Sequence, residues 1–119
     1  MRVVVTSQGK ELTSQTDPRF GRAMYFVVAD TNSGEYEAVD NTQNLQAVQG
    51  AGVQAAQTVA KLGANVVITG HCGPKAFQVL NNAGIKVYTG AEGTVQWALD
   101  EWKAGKYREA DEADVESHW

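Results

Sequence analysis

The 119 residues contain one cysteine, Cys72. A single thiol cannot close an internal disulfide, nor supply the several thiolates of a zinc ribbon or a protein-ligated iron-sulfur cluster, so those classes are excluded within one chain. Long apolar runs are missing as well. No stretch approaches the roughly 18 residues of a membrane span, and the N-terminal MRVVVTSQGK is too short in its apolar part for the core of a secretory signal. A cytoplasmic, monomeric protein with no membrane partner is therefore the expectation. Clustered positive charge is also absent: the final KYREADEADVESHW holds five acids against two bases, which is −3 of the total −4, and leaves a nearly neutral body. Nucleic-acid binders need clustered Lys and Arg for phosphate contacts, so none is expected here.

What remains is one domain's worth of chain with 43% hydrophobic content, divided into a body at 1–105 and an acidic C-terminal tail at 106–119 expected to be solvated. RVVVT at 2–6 reads as a strand, and AMYFVVAD at 23–30 with EYEAVD at 35–40 reads as a hairpin joined by TNSG. From 51 to 62 the apolar spacing turns helical, with Ala55, Ala56, Val59 and Leu62 on one face and Gly63 as a stop. VVIT at 66–69 is a buried strand. A helix opened by Pro74 and ended by Gly84 follows, then a strand IKVYT at 85–89, then a helix at about 94–104 ended by Gly105. Trp102 falls on the apolar stripe of this last helix and Trp97 off it. The order βββαβαβα makes an α/β fold with a five-stranded mixed sheet flanked by three helices.

That order has a geometric consequence. The hairpin reverses the third strand relative to the second, and the crossover helices keep the fourth and fifth parallel to their neighbours. If the second strand also pairs antiparallel with the first, then strands one, three, four and five all finish at one edge. The segments leaving it are SQGKELTSQTDPRFGR, NTQNLQAVQGAG, GHCGPK and GAEGT. Open α/β sheets bind ligands at such an edge. Three of these segments lead into helix N-termini, which favour anions, and Arg19, Arg22 and Lys75 add positive charge. A small anionic ligand is expected.

DPRFGRAMYFVV, the GAG entering the first helix, VVITGHCGPKAF, NNAGIKVY and GTVQWAL occur in the order found in the dinitrogenase iron-molybdenum cofactor biosynthesis family, and the chain resembles its small stand-alone members over about residues 1–105. The resemblance implies a ribonuclease-H-like fold. It also implies non-enzymatic carriage of a preformed metal-sulfide cluster, of the molybdenum-copper type or an iron-molybdenum or iron-sulfur precursor. A protein partner such as an ATPase is left open. A cluster carrying its own sulfides needs no protein thiolate, so one cysteine is no obstacle; N–H···S contacts and cations can hold it. One departure is Gln49, where many members place a histidine, so histidine ligation at that turn is not carried over.

The candidate cluster-binding residues are Arg19, Phe20, Gly21, Arg22, Gly50, Gly52, Gly70, His71, Cys72, Gly73 and Lys75, with no catalytic residue and no protein metal ligand among them. Most have a plainer reading. Phe20 would limit water at the cluster; on the plainer reading the arginines could be solvated charges, the glycines turn formers, His71 a hydrogen-bonding loop residue, and Cys72 a small semi-buried residue at a strand exit. Cys72 could also be a thiol activated by a helix N-terminus, giving a thiol-dependent enzyme. A regulatory module pairing through the hairpin edge is a third class. A two-metal nuclease is disfavoured, because RVVVT carries no carboxylate and Asp30 and Asp40 fall at opposite strand ends.

Overall fold

In the computed structural model, which describes residues 1–41 and 50–113, the elements follow the expected order: β1 (Arg2–Ser7), β2 (Tyr25–Asp30), β3 (Tyr36–Asp40), α1 (Ala51–Lys61), β4 (Val66–Ile68), α2 (Pro74–Asn82), β5 (Lys86–Tyr88) and α3 (Val95–Lys103). The strands form one sheet in the order β3-β2-β1-β4-β5. β1 sits at the centre, antiparallel to β2 and parallel to β4, with Val4 opposite both Val28 and Val67. β3 is antiparallel to β2, and β5 is parallel to β4. This is the ribonuclease-H-like arrangement, and β1, β3, β4 and β5 end at one edge, as the connectivity implied.

The unbroken apolar run of β1 follows from its position, because a strand covered on both faces gains from burying every residue. Alternate residues serve opposite layers. Val4, Phe26, Val28 and Val67 pack with α1 and α2, whereas Val3, Val5, Val27, Val66 and Ile68 pack with α3. Trp102 is partly buried in the α3 layer, edge-on to Tyr88 with ring centroids 6.2 Å apart, and Trp97 is 55% exposed. The helix-ending Gly63, Gly84 and Gly105 all adopt left-handed φ, which explains their placement. β1 runs one residue further than periodicity indicated, to Ser7, and the other four strands are shorter. β2 starts at Tyr25 rather than residue 23 because the preceding chain turns into the site, and Asn41 ties that turn by donating to the Gly21 and Ala23 carbonyls.

The tail corrects the expectation of a wholly solvated segment. Glu109 bridges Tyr88 in antiparallel sense, and the Ala110 N–H donates to the Val87 carbonyl at 2.8 Å, so the chain caps the β5 edge. Ala110 packs on the α1/α2 layer and Tyr107 on the α3 layer. Desolvation raises the Tyr107 pKa above its ordinary value. These contacts arise because a bare β5 edge leaves unpaired backbone groups that any adjacent segment can satisfy. Residues 114–119, including His118 and Trp119, lie outside the described residues. Removing everything after Gly105 should therefore lower stability by about 2 kcal/mol, the scale of one large apolar side chain. Thermal melting followed by circular dichroism should show a fall of roughly 8 °C; an unchanged midpoint would mean the packing contributes nothing.

Candidate functional site

The segment between β1 and β2, residues 8–24, crosses the edge where β1, β4 and β5 end and is anchored at three places. Its first part runs beside α3: the Thr16 N–H donates to the Gly93 carbonyl, and Val95 and Gln96 N–H groups donate to Ser14 and Leu12 carbonyls. Tyr36 reaches over from β3, its hydroxyl donating to Glu11 at 2.7 Å, and that bond raises the phenol pKa. In its middle part, a buried chain of hydroxyls joins the ends of β1 and β4. Thr69 and Thr6 share a 2.9 Å hydrogen bond, and Thr6 Oγ1 donates to the Asp17 carbonyl at 2.7 Å. The Asp17 N–H in turn donates to the Thr6 carbonyl.

Beyond Asp17 the loop pairs with the β4 exit. The His71 N–H donates to the Pro18 carbonyl at 2.7 Å and the Phe20 N–H to the His71 carbonyl at 3.2 Å, so Arg19 and His71 lie side by side. Glycine makes this approach possible. A Cβ on Gly70 would stand 2.7 Å from the Pro18 backbone, and one on Gly21 would stand 2.8 Å from the Gly52 backbone at the start of α1. A Cβ on Gly52 would in turn stand 3.2 Å from that of Ala76 in the first turn of α2. Gly21, Gly52 and Gly70 are thus close-approach positions linking the loop, α1, α2 and the β4 exit. Gly50 differs, being the left-handed residue that turns the chain into α1, with φ 82°. Gly73 precedes α2 in an extended conformation.

Two helices, α1 and α2, begin at this junction with glycine as the N-cap residue. Neither α1 nor α2 has a capping hydrogen bond from the residue before it, and neither carries an acid in its first turn. α3 shows the contrast, since Thr94 Oγ1 accepts from the Trp97 N–H at 3.0 Å. Pro74 removes one donor from α2, and the remaining first-turn N–H groups have no partner within their own helix. Lys75 is exposed in that first turn, Arg22 is half-buried, and the Arg19 side chain is 47% exposed with its Nε 3.9 Å from the Asp17 carboxylate. Positive ends of dipoles and cationic side chains therefore share one surface.

Two expected contact residues are placed beneath that surface rather than on it. Phe20 is 1% exposed and stacks at a tilt on Phe26, centroids 5.9 Å apart. Cys72 is also 1% exposed, its Sγ directed at the Gly73 carbonyl 3.7 Å away. Both belong to the α1/α2 core, because the loop backbone is held so close to the β4 exit that these side chains can only turn inward. His71 is partly exposed. Gln49 and the stretch 42–49 before the GAG turn lie outside the described residues. Among the described residues no group of three His, Cys, Asp or Glu side chains converges as a metal-ligand set.

Periodicity did not single out Thr6, Asp17, Asn41 or Thr69, all buried: Asp17 lies in this loop, Thr6 and Asn41 bond to it, and Thr69 reaches it through Thr6. The available signals were an Asp-Pro turn and threonines at strand ends. A cleft of about 220 Å³ at the opposite edge of the sheet is walled by Arg2, Asp30, Glu35, Tyr36 and Glu37 among others. N–H groups of Asn32 and Ser33 hold the Asp30 carboxyl below the usual range, so it stays ionised. Three carboxylates against one guanidinium suit no anion. No described helix is long and apolar enough to cross a membrane.

The chain is similar to known proteins. The family described as dinitrogenase iron-molybdenum cofactor matches residues 1–105, ending at the glycine that stops α3. The apo form of the orange protein from Desulfovibrio gigas superposes with a TM-score of 0.93 at 44% identity, covering 96% of each chain. A Thermotoga protein bearing the NifB name, of the DUF35 family, gives a TM-score of 0.80 at 40% identity over 91% of each chain. Protein MJ0580 of Methanocaldococcus jannaschii is 33% identical over 78 residues, 63% of this chain, and the chain spans 65% of that relative's length. With the match extending through the loop, both glycine-capped helices and the β4 exit, the chain belongs to the dinitrogenase iron-molybdenum cofactor family.

Proposed function

We propose that the chain binds and carries a preformed anionic metal-sulfide cluster at the junction of the 8–24 loop with the N-termini of α1 and α2, without catalysing a reaction. The observation that carries this reading is the pair of glycine-capped helix starts brought together at Gly52 and Ala76 and flanked by Arg19 and Lys75. A lysine in a first helical turn is disfavoured by the dipole. An anion bound between the helix starts would offset both positive contributions at once. Sulfides and oxo groups of a cluster accept hydrogen bonds from backbone N–H, and Arg supplies a planar fork of donors.

The cluster we favour is of the molybdenum-copper sulfide type, with an iron-molybdenum or iron-sulfur precursor as the alternative. Similarity to a protein solved in its apo form and membership of a cofactor family support cargo carriage over chemistry. The buried, inward-directed Cys72 gives little support to a thiol-dependent enzyme. Loading or unloading by a protein partner such as an ATPase fits a carrier whose cargo is made elsewhere.

The test is titration of the metal-free protein with copper(I) and tetrathiomolybdate, followed by visible absorption. Wild type should take up the cluster. Arg19→Ala with Arg22→Ala should bind about tenfold more weakly, equivalent to ~1.4 kcal/mol, while folding stability changes by about 1 kcal/mol or less. Equal affinity in the double variant would remove the loop cations from the site.

A further inference from the structure

We infer that Asp17 is a positioning residue for the cluster site, acting through Arg19; the inference rests on the anion-carrier reading. Asp17 is 3% exposed, although a carboxylate next to an anion site is electrostatically adverse. Its place is nevertheless fixed on every side. Its N–H and carbonyl are bonded to Thr6, which is bonded to Thr69 at the β4 exit. Its Oδ1 accepts from the Arg19 N–H at 3.0 Å across Pro18, closing a tight turn, and the same oxygen stands 3.9 Å from Arg19 Nε.

An arginine on a surface loop ordinarily samples many rotamers, and ordering it on binding costs free energy. Here the carboxylate stands 3.9 Å from the Nε, close enough to bias the guanidinium toward it, while 47% of the side chain remains open to solvent. The remaining donors can meet a ligand without a further search. The adverse charge of Asp17 is thus offset by pre-ordering, and Pro18, which stiffens the same turn and accepts from His71, works in the same direction.

Asp17→Asn separates the two roles of the side chain. The amide oxygen still accepts from the Arg19 N–H, so the turn is kept, but the charge that steers the guanidinium is gone. Simple removal of a negative charge near an anion would tighten binding; loss of positioning weakens it, so the sign decides. In the copper(I) and tetrathiomolybdate titration, Asp17→Asn should bind about fivefold more weakly with its melting point nearly unchanged. Arg19→Ala with Asp17→Asn should bind at least as tightly as Arg19→Ala, because Asp17 has nothing left to position and only its adverse charge is removed. Equal or tighter binding by Asp17→Asn, or losses that multiply in the double variant, would overturn the inference. A readout without ligand keeps this distinct from the carrier reading: nitrogen-15 relaxation at Arg19 Nε in the metal-free protein should show lower order in Asp17→Asn than in wild type. Identical order in both would sink the inference even if wild type binds the cluster. If wild type fails to bind, the carrier reading falls and the cluster-site role with it, while a difference in order would still show that Asp17 holds Arg19.

Discussion

Gly70→Ala is expected to destabilise the protein by about 3 kcal/mol, the upper part of the range for forced overpacking. Its new Cβ would meet the Pro18 Cα and carbonyl oxygen at 2.7 Å. Both are backbone atoms, and the loop that carries them is tied on each side, by Asp17 to Thr6 and by Phe20 to His71. Neither partner can move alone. Relief requires the loop to lift from the β4 exit, breaking the His71-to-Pro18 and Phe20-to-His71 hydrogen bonds and withdrawing Arg19 from the helix starts. Stability and cluster uptake should therefore fall together, with a melting point roughly 12 °C lower. Thermal melting and the absorption titration on the same sample check this. Retention of both would mean the backbone yields more easily than the close approach implies.

Phe20→Ala should have a larger effect on folding, about 4 kcal/mol, as expected for emptying a core position filled by an aromatic ring. The ring is 1% exposed and packs on Phe26 within the layer that includes Val59, Leu80 and Cys72. Because Phe20 lies between Arg19 and Gly21, the cavity would also loosen the segment that carries the loop cations. Urea denaturation should show a lower midpoint with a similar slope. A loss below about 1 kcal/mol would indicate that the ring is not a core element, which would return it to the site surface. Phe20→Leu, which retains most of the apolar volume, should recover much of the stability and most of the uptake.

These two positions show how much of the molecule was legible in its sequence. The strands and helices were, because each rests on a local signal: continuous apolar residues in β1, the turn TNSG between β2 and β3, and glycine after each helix. Convergence of the loop, the GAG turn and the β4 exit was legible too, since it follows from strand direction alone. Side-chain direction was not. Phe20 and Cys72 sit in glycine-rich connections that look exposed, and only the close approach of Gly70 to Pro18 and of Gly21 to Gly52 turns them inward. Asp17 and Thr69 were equally hidden, because their roles depend on Thr6, 11 and 63 residues away in the chain. The tail misled for the opposite reason. Its charge density reads as solvated, yet apolar contacts from Tyr107 and Ala110 and the Ala110-to-Val87 backbone bond dock its described part on the body.

The central claim is that an anionic metal-sulfide cluster is held where the 8–24 loop meets the starts of α1 and α2. The most direct measurement is the backbone amide NMR spectrum of nitrogen-15-labelled protein during titration with copper(I) and tetrathiomolybdate. The account predicts saturable changes at Arg19, Gly21, Gly50 to Val53, Gly70 to Gly73, Lys75 and Ala76, with Asp30, Glu35 and Glu37 at the opposite edge unaffected. Changes centred on the opposite edge, or a spectrum that does not alter as the metals are added, would contradict it.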